Sequence, residues 1–302
     1  MRIFVTGGTG FVGSNLVRKL TESGHEVTLL TRSLAKSPPL PQGASYLEGS
    51  PAEKGAWLEK VPYHDGIINL AGASIFGRWT KAAKKSIRDS RLLTTQNLVQ
   101  ALSTRPSKTA FLFSTSAVGY YGFHDDEELD ELSPPGEGFL ASLSQEWESA
   151  ALEAEKNGAR VVLLRFGIVL GREDGALKQM IPVFRKYMGS PLGGGKQWFS
   201  WIHLQDLINV YLFLIEKHLI SGPINCTSPQ PVRNEELTKS LGEALGKPTF
   251  MPSVPGFLLR MILGEFGSVL LKGQRVLPKR LLEEGYRFQF PDLKGALKDL
   301  LN

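Results

Sequence analysis

Apolar and polar positions follow two rhythms along the first half of the chain. Ile3-Phe4-Val5 is an unbroken apolar run, and after a glycine-rich stretch Leu16, Val17 and Leu20 return at helical spacing, which predicts a strand near 2–6 and a helix near 12–23. Further apolar runs predict strands near 26–31, 66–70, 109–114 and 160–166, and longer amphipathic stretches predict helices near 79–103 and 139–157. Strands that alternate with helices predict an α/β fold built on a doubly wound parallel sheet. Proline and glycine mark the breaks, as in Ser37-Pro38-Pro39-Leu40-Pro41 and Ser133-Pro134-Pro135-Gly136.

Beyond residue 166 the rhythm becomes irregular. Gly171, Gly175, Gly189 and Gly193-Gly194-Gly195 interrupt it before an amphipathic helix near 203–218, and from 223 onwards short strands mix with helices. The expected division is a sheet domain, residues 1–168 with about 198–218 added, and a smaller α+β substrate lobe formed by 169–197 and 219–302. Such a lobe closes over the carboxyl edge of the sheet, where ligands of this architecture sit. There is no internal repeat.

Composition narrows the class. The 302 residues, 42% of them hydrophobic, allow a large core, and no run has the length and apolarity of a membrane span. The first strand starts at once, with no basic and apolar leader, and the single cysteine, Cys226, has no partner for an intramolecular disulfide, so a cytoplasmic protein is expected. Net charge is +5, yet the densest basic cluster, Arg78, Lys81, Lys84, Lys85, Arg88 and Arg91, spans one helix and most of it reads as a solvated face, so neither nucleic acid nor membrane is an expected partner. His25, His64, His124 and His218 occur singly, and the acidic stretch from Asp125 to Glu131 lacks the glycine turn of a calcium loop; no metal is expected, and the stretch reads as a solvated flap near the substrate mouth.

The chemistry concentrates at the first turn. Gly7, Gly10 and Gly13 stand three apart: the first permits a tight turn, the second lets backbone approach a pyrophosphate, and the third lets the helix pack on the sheet. With the anion at the helix N-terminus, Gly7, Thr9, Gly10, Phe11, Val12 and Gly13 form the expected cradle of a dinucleotide. The second strand ends in Thr31, Arg32 and Ser33, with no acid for a ribose 2′-hydroxyl. A guanidinium beside small hydroxyls suits a 2′-phosphate, so the expected cofactor is NADP(H) rather than NAD; a merely solvated arginine is the other reading. Ile67 to Gly72 ends in small residues that let a cofactor pass over the strand, which adds Leu70, Ala71 and Gly72 to the expected set.

Two further stretches complete a pattern: Ala110 to Gly122 delivers hydroxyls to the same sheet edge, and Trp198 to Leu207 joins an aromatic strand to a helix. Together with the glycine loop they resemble the extended short-chain dehydrogenase/reductase superfamily, which includes nucleotide-sugar epimerases. Phe139-Leu140-Ala141 with Trp147-Glu148, Gly222-Pro223-Ile224-Asn225, Pro231-Val232-Arg233-Asn234, Gly273 to Leu281 and Phe290-Pro291-Asp292-Leu293 are similar to the YfcH-like epimerase family proteins among its atypical members. The resemblance implies a Rossmann fold that binds NADP(H), with a distinctive C-terminal segment and a small carbonyl or sugar-like substrate. It further implies that Ser86 or Arg91 reaches the cofactor, that Ser116 stands at the superfamily's serine, and that His203 and Asp206 hold the lobes together.

One element of the superfamily is missing. Its Tyr-x-x-x-Lys pair would fall on Phe139 or Leu140 with Leu143 or Ser144. A phenol of pKa roughly 10 is a poor base near neutrality without a cation beside it, so the proton needs another carrier. Ser116, Tyr120 and Tyr121 are the catalytic candidates, with the tyrosines alternatively only walling the pocket. Arg165, ending its strand, joins the cofactor set because arginine is seldom buried without a partner. Two functions stay open, an NADP(H)-dependent oxidoreductase or epimerase and a catalytically silent NADPH-binding sensor. Monomer and homodimer also stay open, since Lys81, Lys84, Lys85 and Arg88 would oppose pairing of the two long helices.

Overall fold

The computed structural model describes residues 1–105 and 110–301. The first half reads β1 (Arg2–Thr6), α1 (Phe11–Glu22), β2 (Glu26–Thr31), β3 (Ala44–Glu48), β4 (Gly66–Asn69), α2 (Lys81–Ser103), β5 (Phe111–Ala117), β6 (Glu128–Leu129), α3 (Phe139–Leu152) and β7 (Arg160–Phe166). There follow β8 (Ile168–Leu170), α4 (Ala176–Arg185), β9 (Trp198–Phe199), β10 (Trp201–His203), α5 (Leu204–Glu216), β11 (Gly222–Cys226), β12 (Val232–Arg233) and α6 (Asn234–Leu245). The last segment holds α7 (Gly256–Leu263), α8 (Glu265–Leu270), β13 (Arg275–Val276), α9 (Lys279–Glu283) and α10 (Leu293–Leu301).

Seven strands form one sheet in the order β11-β7-β5-β4-β1-β2-β3, every pair parallel, which is the doubly wound α/β architecture expected. From β1 the chain moves outward through β2 and β3, then returns to β4 and moves the other way. The reversal between β1 and β4 opens a crevice at the carboxyl ends of the strands. Strands buried on both faces have to be apolar at every position, not at alternate ones, which is why their runs were readable. Ile3, Val5 and Val27 face Leu16, Leu20, Tyr211 and Leu214 of α1 and α5. Phe4, Ile67 and Leu112 face Trp57, Leu98 and Leu102 on the other side.

Three boundaries differ from expectation. β5 runs over Phe111–Ala117, and residue 109 of the expected strand lies outside the described residues. The helix over 139–157 ends at Leu152; Glu153–Asn157 tighten into a 3-10 turn closed by Gly158 at φ 77°. Gly222–Cys226, expected in the smaller lobe, pairs with β7 from Gly222 opposite Val162 to Cys226 opposite Phe166 and completes the sheet. Its edge position tolerates Pro223, which hid the strand from a periodicity argument. β3, also at an edge and only partly buried, was not anticipated for the same reason.

The remaining segments build a second core in which Leu177, Phe184, Trp201, Leu237, Leu241 and Leu297 meet. Asp206, fully enclosed in the first turn of α5, fastens the C-terminal segment by accepting from Gln289 N at 2.8 Å and Phe290 N at 2.9 Å. His203 Nδ1 accepts from Gln205 N at 3.0 Å and so caps α5, which leaves the proton of the neutral ring on Nε2, 3.3 Å from Asp299. Arg172 completes the attachment by donating to Leu300 O at 3.0 Å and Asp299 O at 3.2 Å. Among the described residues no helix is long and apolar enough to cross a membrane, and no group of three or more His, Cys, Asp or Glu is placed to hold a metal.

Candidate functional site

The glycine loop is shaped by close approach. Gly7 has φ 71°, and a Cβ there would stand 2.6 Å from the carbonyl carbon of Leu70, where the turns after β1 and β4 touch. A Cβ on Gly13 would stand 2.2 Å from Gly7 O, so α1 leaves the loop at the closest spacing that backbone allows. Gly10 precedes the helix, and no side chain caps the first turn of α1, whose N–H groups are left to an anion. Thr9 is exposed beside them. Phe11 and Val12 contribute differently from expectation. The Phe11 ring packs on Gly171 and Gly175, where added Cβ atoms would stand 2.4 and 3.0 Å from it, and Val12 packs on the core, so only their backbone faces the crevice.

At the end of β2 a small hydroxyl cluster forms. Thr31 Oγ1 and Ser37 Oγ are 2.8 Å apart, and Ser37 donates to Ser33 O at 2.8 Å. Ser37 was not anticipated; it lies six residues along a loop whose path sequence does not dictate. Arg32 beside them is exposed and has no ion-pair partner among the described residues. After β4, Leu70 and Ala71 tuck beneath the exposed Gly72. Arg91 walls this turn from α2, donating to Ala73 O and Ile87 O at 3.0 Å each and lying 5.2 Å over the Trp147 ring. Burial lowers its pKa to about 10, so it is still charged at neutral pH. Ser86 stays on the exposed face of α2; Ser90, one turn on, is the residue that holds the loop, accepting from Ala73 N at 2.9 Å.

The other half of the sheet edge is closed on itself. Ser116 donates to Glu148 Oε1 at 2.6 Å, and Arg165 grips the same carboxylate through two nitrogens at 2.8 Å each. A third nitrogen of Arg165 donates to the Tyr121 hydroxyl at 2.9 Å, which donates to Asn225 Oδ1 at 2.7 Å. Asn225 N then donates to Glu131 at 3.0 Å. All of these side chains are buried. Burial alone would lower the pKa of Arg165, but Glu148 and then Tyr121 outweigh it and hold the guanidinium above its ordinary value.

This network corrects three expectations. Ser116, expected to face a substrate, is buried here with its proton committed to Glu148. Tyr121 is no proton donor: both roles of its hydroxyl are in use, and burial pushes the phenol well up. Arg165, expected to reach a cofactor, spends its fork on Glu148 and its third nitrogen on Tyr121. Tyr120 alone of the catalytic candidates is partly exposed, with its ring centroid 3.5 Å from the Arg165 guanidinium carbon. Glu148 was missed as a site residue, although a carboxylate one helical turn beyond Ser144, in line with the buried face of α3, was a visible signal. Leu140 packs on Gly119, and Leu143 and Ser144 are buried, so no titratable side chain replaces the missing pair at its own positions.

A cavity of about 420 Å³ lies elsewhere, between α1, α5 and α10, lined by Asn15, Arg18, Arg172, His203, Gln205 and Asp299 among others. None of its lining belongs to the glycine loop or to the ends of β4 and β5, so it is the seam of the C-terminal attachment and not the crevice.

Comparison with known proteins places these features. Residues 3–226 match the model of the NAD dependent epimerase/dehydratase family, and residues 254–300 match a domain of unknown function, DUF1731. The chain is 41% identical over 303 residues to the chloroplastic epimerase family protein SDR39U1 homolog of Arabidopsis thaliana, covering 100% of this chain and 87% of the relative. It is 39% identical over 306 residues to an epimerase family protein of Staphylococcus aureus (strain MRSA252), covering 99% and 98%. Among solved structures, human epimerase family protein SDR39U1 (isoform 2) with NADPH superposes with a TM-score of 0.86 at 34% identity, covering 100% of this chain and 99% of that one. A nucleoside-diphosphate sugar epimerase of Corynebacterium glutamicum superposes with a TM-score of 0.79 at 30% identity, covering 100% of this chain and 58% of that one.

Proposed function

The chain belongs to the NAD-dependent epimerase/dehydratase family, and from that premise we propose that it binds NADP(H) across the crevice between β1 and β4 and acts as an oxidoreductase or epimerase on a small carbonyl or sugar-like substrate without a Tyr-x-x-x-Lys pair. The observation that carries the cofactor reading is Arg32, exposed and without an ion-pair partner among the described residues, beside the hydroxyls of Thr31 and Ser37 at the end of β2. A carboxylate there would repel a 2′-phosphate; a free guanidinium fork receives it. The NADPH in the human relative's structure supports the same choice.

The residues present fit such a group. Gly7 and Gly13 allow a close approach of backbone that any Cβ would block, which shapes the loop, and the uncapped first turn of α1 presents N–H groups to a pyrophosphate. When bound, the cofactor supplies hydride transfer at nicotinamide carbon C4. The protein's share is position and proton handling: Arg91 walls the turn after β4, the smaller lobe limits water, and the Tyr120 hydroxyl, its ring fixed on Arg165, is the accessible proton carrier. One observation favours the silent sensor as a second reading: Ser116 is committed to Glu148, which removes the partner that a catalytic hydroxyl in this superfamily ordinarily has.

Titration of the purified chain with NADPH and NADH tests the cofactor. NADPH is expected to bind more tightly, and Arg32→Ala is expected to weaken it by on the order of tenfold to a hundredfold, the worth of a charge-assisted pair, with NADH unchanged. Equal affinity for both forms in the unmodified chain would refute the reading. Turnover is read from nicotinamide absorbance across carbonyls and nucleotide sugars, with Tyr120→Phe expected to lose turnover at unchanged NADPH affinity. Tight NADPH binding with no turnover anywhere in the panel decides for the sensor.

A further inference from the structure

We propose that the outer part of the crevice takes a planar, apolar ring bearing an acidic group; this names a substrate class for the function above and rests on it. The segment after β4 leaves the strand end and reaches α8, where Phe76 meets Phe266 at 5.7 Å between ring centroids. Trp79 lies 5.7 Å from Phe266 and 5.1 Å from Phe139. Phe139 opens α3 at or beside the place of the family's tyrosine; Phe266 is buried beneath this group, Lys84 Nζ lies 4.9 Å from the Phe139 ring centroid, and Phe76, Trp79 and Phe139 keep part of their surface open. Phe76 is 59% exposed. Next to Phe266, α7 packs on α8 and leaves Phe257, Met261 and Ile262 exposed as well. Exposed apolar side chains on neighbouring elements suit the binding of an apolar ligand.

Polar groups decide which ligand fits. Along this segment Ser74 Oγ accepts from Phe76 N at 3.2 Å, Ser90 Oγ accepts from Ala73 N, and the Trp79 indole donates to Ile75 O at 2.8 Å. Lys84 is paired with Glu265 at 2.6 Å. The Ser74 and Trp79 hydrogen bonds are internal to the segment, and beside them stand the exposed Phe76 and the partly exposed Trp79 and Phe139, whose faces and edges suit an aromatic ring. Arg78 is the exception among the polar groups. It is exposed, has no ion-pair partner among the described residues, and runs beside Gly264 between the rings and α7, where a Cβ on that glycine would stand 3.4 Å from Arg78 Cγ. A cation at the rim of an apolar shelf complements an anionic substituent on the ring.

The test uses the full chain and 8-anilinonaphthalene-1-sulfonate, a planar anionic probe, read by its fluorescence. Phe76→Ser, a change at an exposed position, is expected to weaken probe binding about tenfold, and Arg78→Gln about threefold. Leu219→Ser, at an apolar position 97% exposed elsewhere, is expected to leave it unchanged. UDP-glucose is expected not to displace the probe. Probe affinity unaffected by Phe76→Ser, or displacement by UDP-glucose, overturns the proposal. A dimer that Phe76→Ser converts to a monomer in size-exclusion chromatography also overturns it and assigns the shelf to a second copy. NADPH affinity, titrated separately, is expected to be the same in these variants; failure of the unmodified chain to bind NADPH defeats the cofactor reading instead, so the two failures are told apart.

Discussion

At the carboxyl ends of β1, β2 and β4 the sheet leaves backbone N–H groups and a guanidinium free, whereas at the ends of β5, β7 and β11 the side chains Ser116, Arg165 and Asn225 are tied to one another through Glu148 and Tyr121. Both halves carry an arginine at a strand end, and both arginines were candidates for the cofactor. Exposure separates them. A guanidinium in water costs the fold little and keeps its donors for a ligand, but one enclosed must be neutralised inside the fold, after which its donors are used. On the proposed function the same residue type serves a ligand on one half and architecture on the other, and the partly exposed Tyr120 lies at the seam with its ring on Arg165.

The largest blow to this contrast is Glu148→Ala, which strands a buried guanidinium and is expected to cost about 3–5 kcal/mol in equilibrium unfolding. A loss below about 1 kcal/mol would mean that the network is not closed as described. Gly13→Ala comes next: its methyl would meet Gly7 O at 2.2 Å, with an expected cost of about 1–3 kcal/mol and loss of NADPH binding, read in the same titration as Arg32→Ala.

A smaller effect concerns pH. Burial lowers the pKa of His203 from its ordinary 6.5, against the opposing pull of Asp299 and Asp206. The unfolded chain therefore takes up this proton first as pH falls, so the stability present above pH 6.5 is lost as pH drops through the lowered value of the folded ring. Unfolding midpoints are expected to fall on acidification through that window, less so in His203→Asn, which retains a side-chain acceptor to cap α5; an equal fall in both removes His203 as the cause. Arg32→Ala is expected to change stability least, within about 0.5 kcal/mol, and a loss matching that of Glu148→Ala would dissolve the contrast.

Much of the fold was legible because central strands must be apolar at every position and helices must repeat at their own spacing. The strands over 44–48 and 222–226 were not, since edge strands relax that demand and Pro223 breaks the pattern. Within the candidate site, the close backbone approach at Gly7 and Gly13 was legible because it follows from local geometry. Glu148 was not: its partners, Ser116 and Arg165, arrive from two strands that only the sheet brings beside α3.

By itself the sequence determined what depends on near neighbours: the apolar runs, the glycine spacing that permits one tight turn and one close helix, and the absence of a tyrosine and lysine four apart on the third long helix. Only the tertiary structure decided which polar groups turn inward. Whether Ser116, Tyr121 and Arg165 meet a substrate or one another depends on what the fold packs against them, because the free energy of a charge or hydroxyl is set by the groups that replace its water, and those groups come from distant parts of the chain.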